Sequence, residues 1–367
     1  MTPPSVPTPD TQFFDAPAEA RHEVLGGKCA SLVTMTGAGM PVPPGFAVTT
    51  AAFDAFIEGA GIAGTICSLL AGLDVTDPAR VDEVSAAIRR EICTRPLPPD
   101  VGAAITGAYQ QLQSRFAVPV PVAVRSSAPA EDLPDASFAG QQDTYLWLHG
   151  IDDVLHHVRQ CWGSLYTSRA ITYRLRNGIP DEGLSMAVAV QKMVNARAAG
   201  VAITMNPATG DRSKITVDAS YGLGEMVVSG TVTPDNVVLD KVVLAVVSQT
   251  IGDKHAELVP DADAQRLVER EVDADRRARR CLDDAELTAV AQLAKRCEKH
   301  YRCPQDVEWA VDADLPTGEN VLLLQSRPDT VHSNVTAAPA PPTAPATTPA
   351  FSLGSITTSL LGRGAPA

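Results

Sequence analysis

Four polar residues near the carboxyl end of the chain are spaced so that they could share one site. The stretches QDVEWAVD and VLLLQSRP alternate polar and apolar residues, and the DLPTGE between them predicts a hairpin turn. Because alternate side chains of a strand share a face, Asp306 lies beside Glu308, and Gln325 lies beside Arg327. Carboxylate oxygens with water suit magnesium, and the arginine would neutralise a phosphate that the metal bridges. A cross-strand surface salt bridge is the alternative.

Two cations nearer the amino end occupy settings that suit phosphate. Lys28 follows two glycines in GGKCASL, before a predicted helix, where backbone N–H groups and an ammonium can meet a phosphate. Arg125 begins the run of hydroxyls and small residues in VRSSAPAEDLPDASFAGQQDTY, which suits multi-donor binding of phosphate oxygens. A surface lysine after a turn, and a structural arginine paired with an acid of its own loop, are the alternatives.

Three further segments are weaker candidates. GVAITMNPATGD and YGLGEMVVSG each end a predicted strand in small residues, and Glu225 in the second could reach a ribose or a metal, although tight β-turns explain both segments. In AVAVQKMV, the backbone of residues 191–194 would meet an adenine edge if the strand ends at a hinge between lobes. A buried strand is the alternative.

The elements that must position these residues predict an α+β fold. The length of 367 residues predicts about two folded units. Apolar spacing predicts helices over 50–70, 78–93, 99–116, 152–175 and a charged helical region over 262–301. Strands are predicted over 121–126, 141–148, 184–194 and 200–206, the last two paired with each other, and 40–48 is predicted to be a proline-rich loop.

Composition excludes several classes of partner. The net charge of −13 disfavours nucleic acid and anionic membranes, and neither a signal peptide nor an apolar run of about 18 residues occurs. Seven scattered cysteines do not suggest a disulfide framework or a zinc cage. We therefore expect a reduced, cytoplasmic protein that binds neither nucleic acid nor membrane.

In this order, the segments resemble the ATP-grasp nucleotide-binding domain of the phosphoenolpyruvate synthase and pyruvate phosphate dikinase family, which includes rifampicin phosphotransferase and phenylphosphate synthase. The resemblance covers about residues 22–328, including GMPVPPGFAVTT and the motifs above. It implies an α+β, ATP-grasp-like fold whose two lobes enclose a nucleotide cleft. The implied divisions are a flexible leader (1–20), an N-terminal lobe with a phosphate-covering loop (21–190), a C-terminal lobe (191–330) and an Ala/Pro-rich linker and tail (331–367).

The resemblance also implies ATP and Mg²⁺ as ligands. Lys28, Arg125 and Arg327 would serve catalysis as cations on the triphosphate. The implied nucleotide-binding residues are Lys28, Arg125, Ser126, Ser127, Gln141, Thr144, Gln191, Met193, Val194, Glu225 and Arg327, and the implied magnesium ligands are Glu308 and Gln325 with Asp306 in support.

Full-length members of this family continue into a mobile domain whose histidine accepts phosphate, whereas only the linker and tail follow LLLQSRP here. None of the seven histidines lies in the Gly-rich, Ser/Thr setting expected of that acceptor. We expect the ATP-binding subunit of a two-component phosphotransferase, which passes the β-phosphoryl group to a histidine on a partner subunit and yields AMP and phosphate. Phenylphosphate or 4-methylphenyl phosphate synthase is the preferred analogue. A divided phosphoenolpyruvate synthase, a rifampicin-type component and a non-catalytic nucleotide-binding module are the alternatives.

Overall fold

The computed structural model describes residues 8–129, 143–181, 183–261 and 265–329, which form a mixed fold of helices and antiparallel sheets. The strands are β1 (Thr11–Phe13), β2 (Gly45–Val48), β3 (Val122–Ser127), β4 (Thr144–Leu148), β5 (Ala187–Lys192), β6 (Ala196–Ile203), β7 (Lys214–Tyr221), β8 (Asp235–Asp240), β9 (Val246–Thr250), β10 (Ala256–Asp261), β11 (Arg266–Glu271), β12 (Gln305–Asp312) and β13 (Val321–Pro328). The helices are α1 (His22–Gly37), α2 (Thr50–Gly59), α3 (Ala63–Leu70), α4 (Pro78–Thr94), α5 (Pro99–Gln113), α6 (Gly150–Ser164), α7 (Ser168–Arg176), α8 (Glu225–Val228), α9 (Ala274–Arg277) and α10 (Asp284–Tyr301).

The first sheet has the order β1-β2-β5-β3-β4, and its two faces carry side chains of different size. One face presents Phe46, Val124 and Val190 to a core that α2 to α7 share. The other face presents alanines, including Ala47 and Ala189, to the core of the second sheet. Because alanine side chains are short, a second layer can approach this face closely.

The second sheet has the order β13-β12-β6-β7-β8-β9, again antiparallel throughout. Helix α10 covers one face, where Val290 and Ala294 lie in the same core as Trp309 and Val217. Strands β10 and β11 form a separate hairpin, and β11 contacts β4 of the first sheet. The antiparallel sheets confirm the α+β prediction.

Helix α1 packs against both sheets, since it contacts β3 and β5 in the first and β13 in the second. Its helical dihedrals break at Gly26, which has φ 65° and ψ 172°. A Cβ at this position would lie 2.1 Å from the Ser127 carbonyl oxygen. Beyond the break, the Cys29 N–H donates to Ser127 Oγ at 3.0 Å, and that hydroxyl donates to the Leu25 carbonyl at 2.8 Å. Gly26 therefore lets the kinked helix sit directly on the end of β3.

The predicted pairing of 184–194 with 200–206 is wrong. Strand β5 lies in the first sheet and β6 in the second, and the chain crosses between the sheets at residues 193–195. On β6, Ala199 lies opposite Ser220 on one side and Ala310 on the other, which leaves no free edge for β5. Local alternation identifies a strand but does not specify its partner.

Two predicted elements also have different secondary structure. Within 262–301, Arg266–Glu271 is a strand because it pairs with β10, and the long helix begins only at residue 284. There, Asp283 and Glu286 form a capping box in which each side chain accepts from the other backbone N–H. Within the predicted loop 40–48, Gly45–Val48 forms β2 between two antiparallel partners.

The predicted division into leader, lobes, loop and tail can be compared with the structure only in part. Within the predicted leader, Thr11–Phe13 pair with β2, and the predicted boundary at residue 190 falls within β5. Most of the phosphate-covering loop, including Gln141, and the linker and tail from residue 330 lie outside the described residues. The division into lobes therefore stays a prediction.

Among the residues that the structure describes, no single helix is long and apolar enough to cross a membrane. The bent pair α2 and α3 passes that test jointly on length and composition, but Phe53, Phe56 and Ile66 of this pair are buried in the core. All seven cysteines lie in the described ranges and are free thiols, as the sequence predicted.

We expect Gly26→Ala to lower the free energy of unfolding by more than about 3 kcal/mol, because strain at positive φ adds to a clash with the β3 backbone. Gly39→Ala is the matched control, since Gly39 has φ 69° but no atom lies within 4 Å of the point that a Cβ would occupy there. That variant should lose only about 1–2 kcal/mol. Urea denaturation of both variants measures the difference, and equal losses would show that the close approach contributes nothing.

Candidate functional site

Arg125 on β3 joins the two sheets. One of its terminal nitrogens donates to Gln325 Oε1 at 2.9 Å and to Glu308 Oε2 at 3.2 Å, and the other donates to the Leu324 carbonyl at 3.3 Å. The Arg125 side chain is 13% exposed and that of Glu308 is 25% exposed, so water screens this ion pair only partly. Since guanidinium carries five donors in one plane, a single arginine serves three acceptors here.

The hairpin of β12 and β13 supplies those acceptors, which confirms the predicted strand pair. Asp306 lies directly opposite Arg327, and Glu308 lies opposite Gln325, so the four side chains share one face. Arg327 donates to Asp306 Oδ2 from Nε at 2.9 Å, and a terminal nitrogen lies 2.8 Å from the same oxygen. Directly after Glu308 the register shifts, so Leu324 is an extra residue and its carbonyl becomes available to Arg125.

Asp306 carries a buried oxygen, Oδ1, that has no hydrogen-bond partner among the described residues. Burial raises the pKa of this carboxyl above its ordinary value, although the nearby Arg327 opposes the shift. A buried carboxylate oxygen without a donor is costly, so an added cation would be favoured at this position.

These residues fit a magnesium ion. The described ranges contain no cluster of three or more His, Cys, Asp or Glu placed to bind a metal. Asp306, Glu308 and Gln325 instead offer two carboxylates and an amide oxygen on neighbouring strands. Mg²⁺ prefers oxygen donors, retains several waters, and is commonly held by one or two carboxylates together with substrate phosphates.

Lys28 reaches the same end of β3 from α1. Its ammonium donates to the Ser126 carbonyl at 2.6 Å, one residue beyond Arg125, and the residue is only 6% exposed. Ser126 donates through its hydroxyl to the Asp143 carbonyl at 3.3 Å, and both Ser126 and Ser127 are fully buried. The two hydroxyls therefore fix the strand end, and their predicted role in covering phosphates stays a prediction.

The structure brings the predicted adenine-framing residues to the crossing between the sheets. Met193 and Val194 are buried in an apolar cluster that contains residues of both sheets. The Met193 N–H donates to the Pro121 carbonyl at 2.9 Å, and the Gln191 amide donates to the Pro43 carbonyl at 3.0 Å. Contact of these residues with a base stays a prediction.

The two remaining predicted residues lie in different settings. Thr144 is exposed and lies directly opposite Arg125 on β4, so it shares the face that carries the guanidinium. Glu225 is exposed at the start of α8, and no hydrogen bond or ion pair within the described residues links it to the Arg125 group.

Cations and oxygen ligands are therefore concentrated where β3, α1 and the β12–β13 hairpin meet. Lys28, Arg125 and Arg327 can counter the charge of a phosphate chain, and the hairpin oxygens can take a divalent cation. Sequence reasoning missed the Leu324 carbonyl, because a backbone group exposed by a strand irregularity has no side-chain signature.

The family profile described as the pyruvate phosphate dikinase AMP/ATP-binding domain matches residues 22–347. The chain belongs to this family. A probable phosphoenolpyruvate synthase of Staphylothermus marinus is 45% identical over 332 residues, which is 84% of this chain and 40% of the relative. The phosphoenolpyruvate synthase of Aeropyrum pernix is 41% identical over 335 residues, with 84% and 41% covered, and that of Pyrococcus furiosus is 37% identical over 357 residues, with 87% and 43% covered.

The chain thus carries an ATP-binding domain of the phosphoenolpyruvate synthase and pyruvate phosphate dikinase type, as the resemblance implied. It spans less than half the length of these curated relatives. Their names support the phosphoenolpyruvate synthase alternative more than the preferred phenylphosphate analogue, for which the comparisons give no support.

We expect a double-mutant cycle with Arg125→Ala and Glu308→Ala to give a coupling free energy of about 1–3 kcal/mol, since each single change leaves a partly buried partner without its counter-charge. Arg80 and Glu83 on α4 form the matched control pair, at 2.9 Å but with side chains 57% and 68% exposed. Their coupling should stay below about 0.5 kcal/mol. Urea denaturation measures both cycles, and equal couplings would refute the role of Arg125 as a link between the sheets.

Proposed function

We propose that this domain binds ATP with Mg²⁺ at the Arg125 group and transfers the β-phosphoryl group to a histidine on a separate subunit. The histidine nitrogen attacks the β-phosphorus, the bond from that phosphorus to the oxygen of the α-phosphate breaks, and AMP leaves with the electron pair. Water then removes the γ-phosphoryl group as orthophosphate, which leaves the β-phosphoryl group on histidine.

The observation that carries this proposal is the joining of Arg125 to Glu308 and Gln325, beside the Arg327–Asp306 pair, in a chain of an ATP-binding family. Phosphoryl transfer requires alignment and charge stabilisation more than a protein nucleophile. Magnesium, when bound, would neutralise phosphate charge. Lys28, Arg125 and Arg327 would then hold the phosphate oxygens in line with the incoming nitrogen.

The accepting histidine is placed outside residues 1–367, because none of the seven histidines of this segment lies in a Gly-rich and Ser/Thr run suited to a mobile phosphate carrier. Relatives named phosphoenolpyruvate synthase support pyruvate as the final acceptor. Phenol, 4-methylphenol and rifampicin are the acceptors that the test must compare with pyruvate.

The test follows label from ATP that carries ³²P at the β-position. The chain is incubated with magnesium and this ATP, alone and with a histidine-bearing subunit, and each acceptor is then added. We expect AMP to form, and acid-labile label to appear on the partner, only when both proteins are present. When pyruvate is then added, we expect the label to appear in phosphoenolpyruvate. If the label appears in a phenyl phosphate instead, the acceptor is a phenol and not pyruvate. Binding of ATP without AMP formation in any mixture would indicate a non-catalytic nucleotide-binding module.

Arg327→Ala should lower the rate of phosphotransfer at least about 100-fold, whereas the free energy of unfolding should fall by only about 1–2 kcal/mol, because the Arg327 side chain is 53% exposed although that of Asp306 is 19% exposed. The pKa of Asp306, already raised by burial, should rise further once this cation is removed. Rates of AMP formation and urea denaturation are the two measurements. Arg80→Ala on α4 is the control and should leave the rate unchanged. Near-native turnover by Arg327→Ala would show that Arg327 has no role in phosphotransfer.

A further inference from the structure

Ser31 lies three residues after Lys28 on α1, so the two side chains are neighbours on the helix surface. The Lys28 ammonium donates to the Ser126 carbonyl at the end of β3, at 2.6 Å. The Ser31 hydroxyl donates to the Ser326 carbonyl on β13, at 3.1 Å. One turn of α1 therefore holds a strand of the first sheet and a strand of the second by their backbones.

Both carbonyls belong to neighbours of arginines in the candidate site. Ser126 directly follows Arg125, and Ser326 directly precedes Arg327. The Ser326 carbonyl and the Arg327 Cα belong to one planar peptide unit, so a bond that fixes this carbonyl also limits where the Arg327 side chain can begin. The Ser31 hydroxyl therefore bears directly on the placement of the second arginine.

Tyr301, the last residue of α10, holds the Ser31 hydroxyl in turn, since their two oxygens lie 3.0 Å apart. A serine hydroxyl has one hydrogen, and that of Ser31 goes to the Ser326 carbonyl, so Tyr301 is the donor in this second bond. Two hydrogen bonds thus run from α10 through α1 to β13. Each bond in such a chain polarises the next and strengthens it.

Ser326 is also fixed through its own side chain. Its hydroxyl donates to Gln305 Oε1 at 2.8 Å, and both residues are buried. The Arg327 side chain, one residue further on, is 53% exposed. The backbone before Arg327 is therefore held by two side-chain contacts, whereas the guanidinium itself is open to solvent.

We infer that Ser31 is a positioning residue for the phosphate chain, which acts through the Ser326 carbonyl on the placement of Arg327. The inference rests on the proposed function, since Arg327 has a phosphate to hold only if ATP binds there. A cation that is already in place loses less freedom on binding than one that must first be ordered, so the Ser31 bond raises the affinity without touching the ligand. The motif GGKCASL contains Ser31 but does not reveal its partner, because Ser326 lies 295 residues further along the chain.

Binding of ATP in the presence of Mg²⁺, measured by calorimetry, tests this role without a partner subunit. Ser31→Ala should raise the Kd about three- to tenfold, which is the effect of losing one hydrogen bond, and Ser31→Thr, which keeps the hydroxyl, should restore the native Kd. Thr36→Val is the matched control on α1. The Thr36 hydroxyl donates to the Leu32 carbonyl of its own helix at 2.7 Å, so its removal should leave the Kd unchanged.

A double-mutant cycle with Arg327→Ala separates positioning from general support of the fold. Once the guanidinium is gone, Ser31 has no cation left to place, so adding Ser31→Ala should change the Kd for ATP by less than about 1.5-fold. Tyr301→Phe is a second, milder variant. It should weaken ATP binding less than Ser31→Ala does, because the bond from Ser31 to the Ser326 carbonyl remains. Urea denaturation shows that each variant is folded.

The outcomes separate the two proposals. If the native chain does not bind ATP, the proposed function and the inference both fail. If the native chain binds ATP and Ser31→Ala binds it equally well, the inference alone is overturned. The inference is also overturned if Ser31→Ala weakens ATP binding by the same factor with and without Arg327. A loss of affinity that requires Arg327 and is restored by Ser31→Thr supports the positioning role.

Discussion

The contact of Arg125 with Glu308, Gln325 and the Leu324 carbonyl is the constraint on which the rest of the site depends. There a strand of the first sheet is tied by charge to the hairpin of the second, as β5 also is through Lys192 and Asp312. Because the guanidinium is planar and its donors are fixed in direction, the contact sets both the distance and the orientation of the two strands. A lysine could supply the charge but not this geometry.

The same requirement for close approach shapes α1. Gly26 allows the kinked helix to sit on the end of β3, and Lys28 is thereby delivered to the Ser126 carbonyl beside Arg125. The alanine face of the first sheet serves the same purpose, since larger side chains there would push the layers apart. Backbone conformation, side-chain size and charge thus converge on one junction, which is what a phosphate-binding site needs.

Some of the unsatisfied and strained groups of the described residues lie where the two sheets meet, and others lie elsewhere in the fold. Asp306 Oδ1 lies beside Arg327 without a donor among the described residues, and His149 Nε2, directly after β4, likewise has no hydrogen-bond partner in that part of the chain. Trp147 adds a positive φ in β4. Features of this kind persist where the surrounding fold over-determines them, and they are found most often where a ligand binds.

The sequence by itself determined the local features of this protein: the α+β class, the β12–β13 hairpin with Asp306 beside Glu308, and the likeness to an ATP-binding family. These follow from period-two alternation, turn residues and ordered motifs, which act over a few residues. Only the tertiary structure decided that β5 and β6 lie in different sheets, that Leu324 offers its carbonyl to Arg125, and that the pairing of β3 with β4 shifts between Val122 and Val124. Strand partners and register shifts depend on contacts between residues far apart in the chain, which leave no local pattern to read.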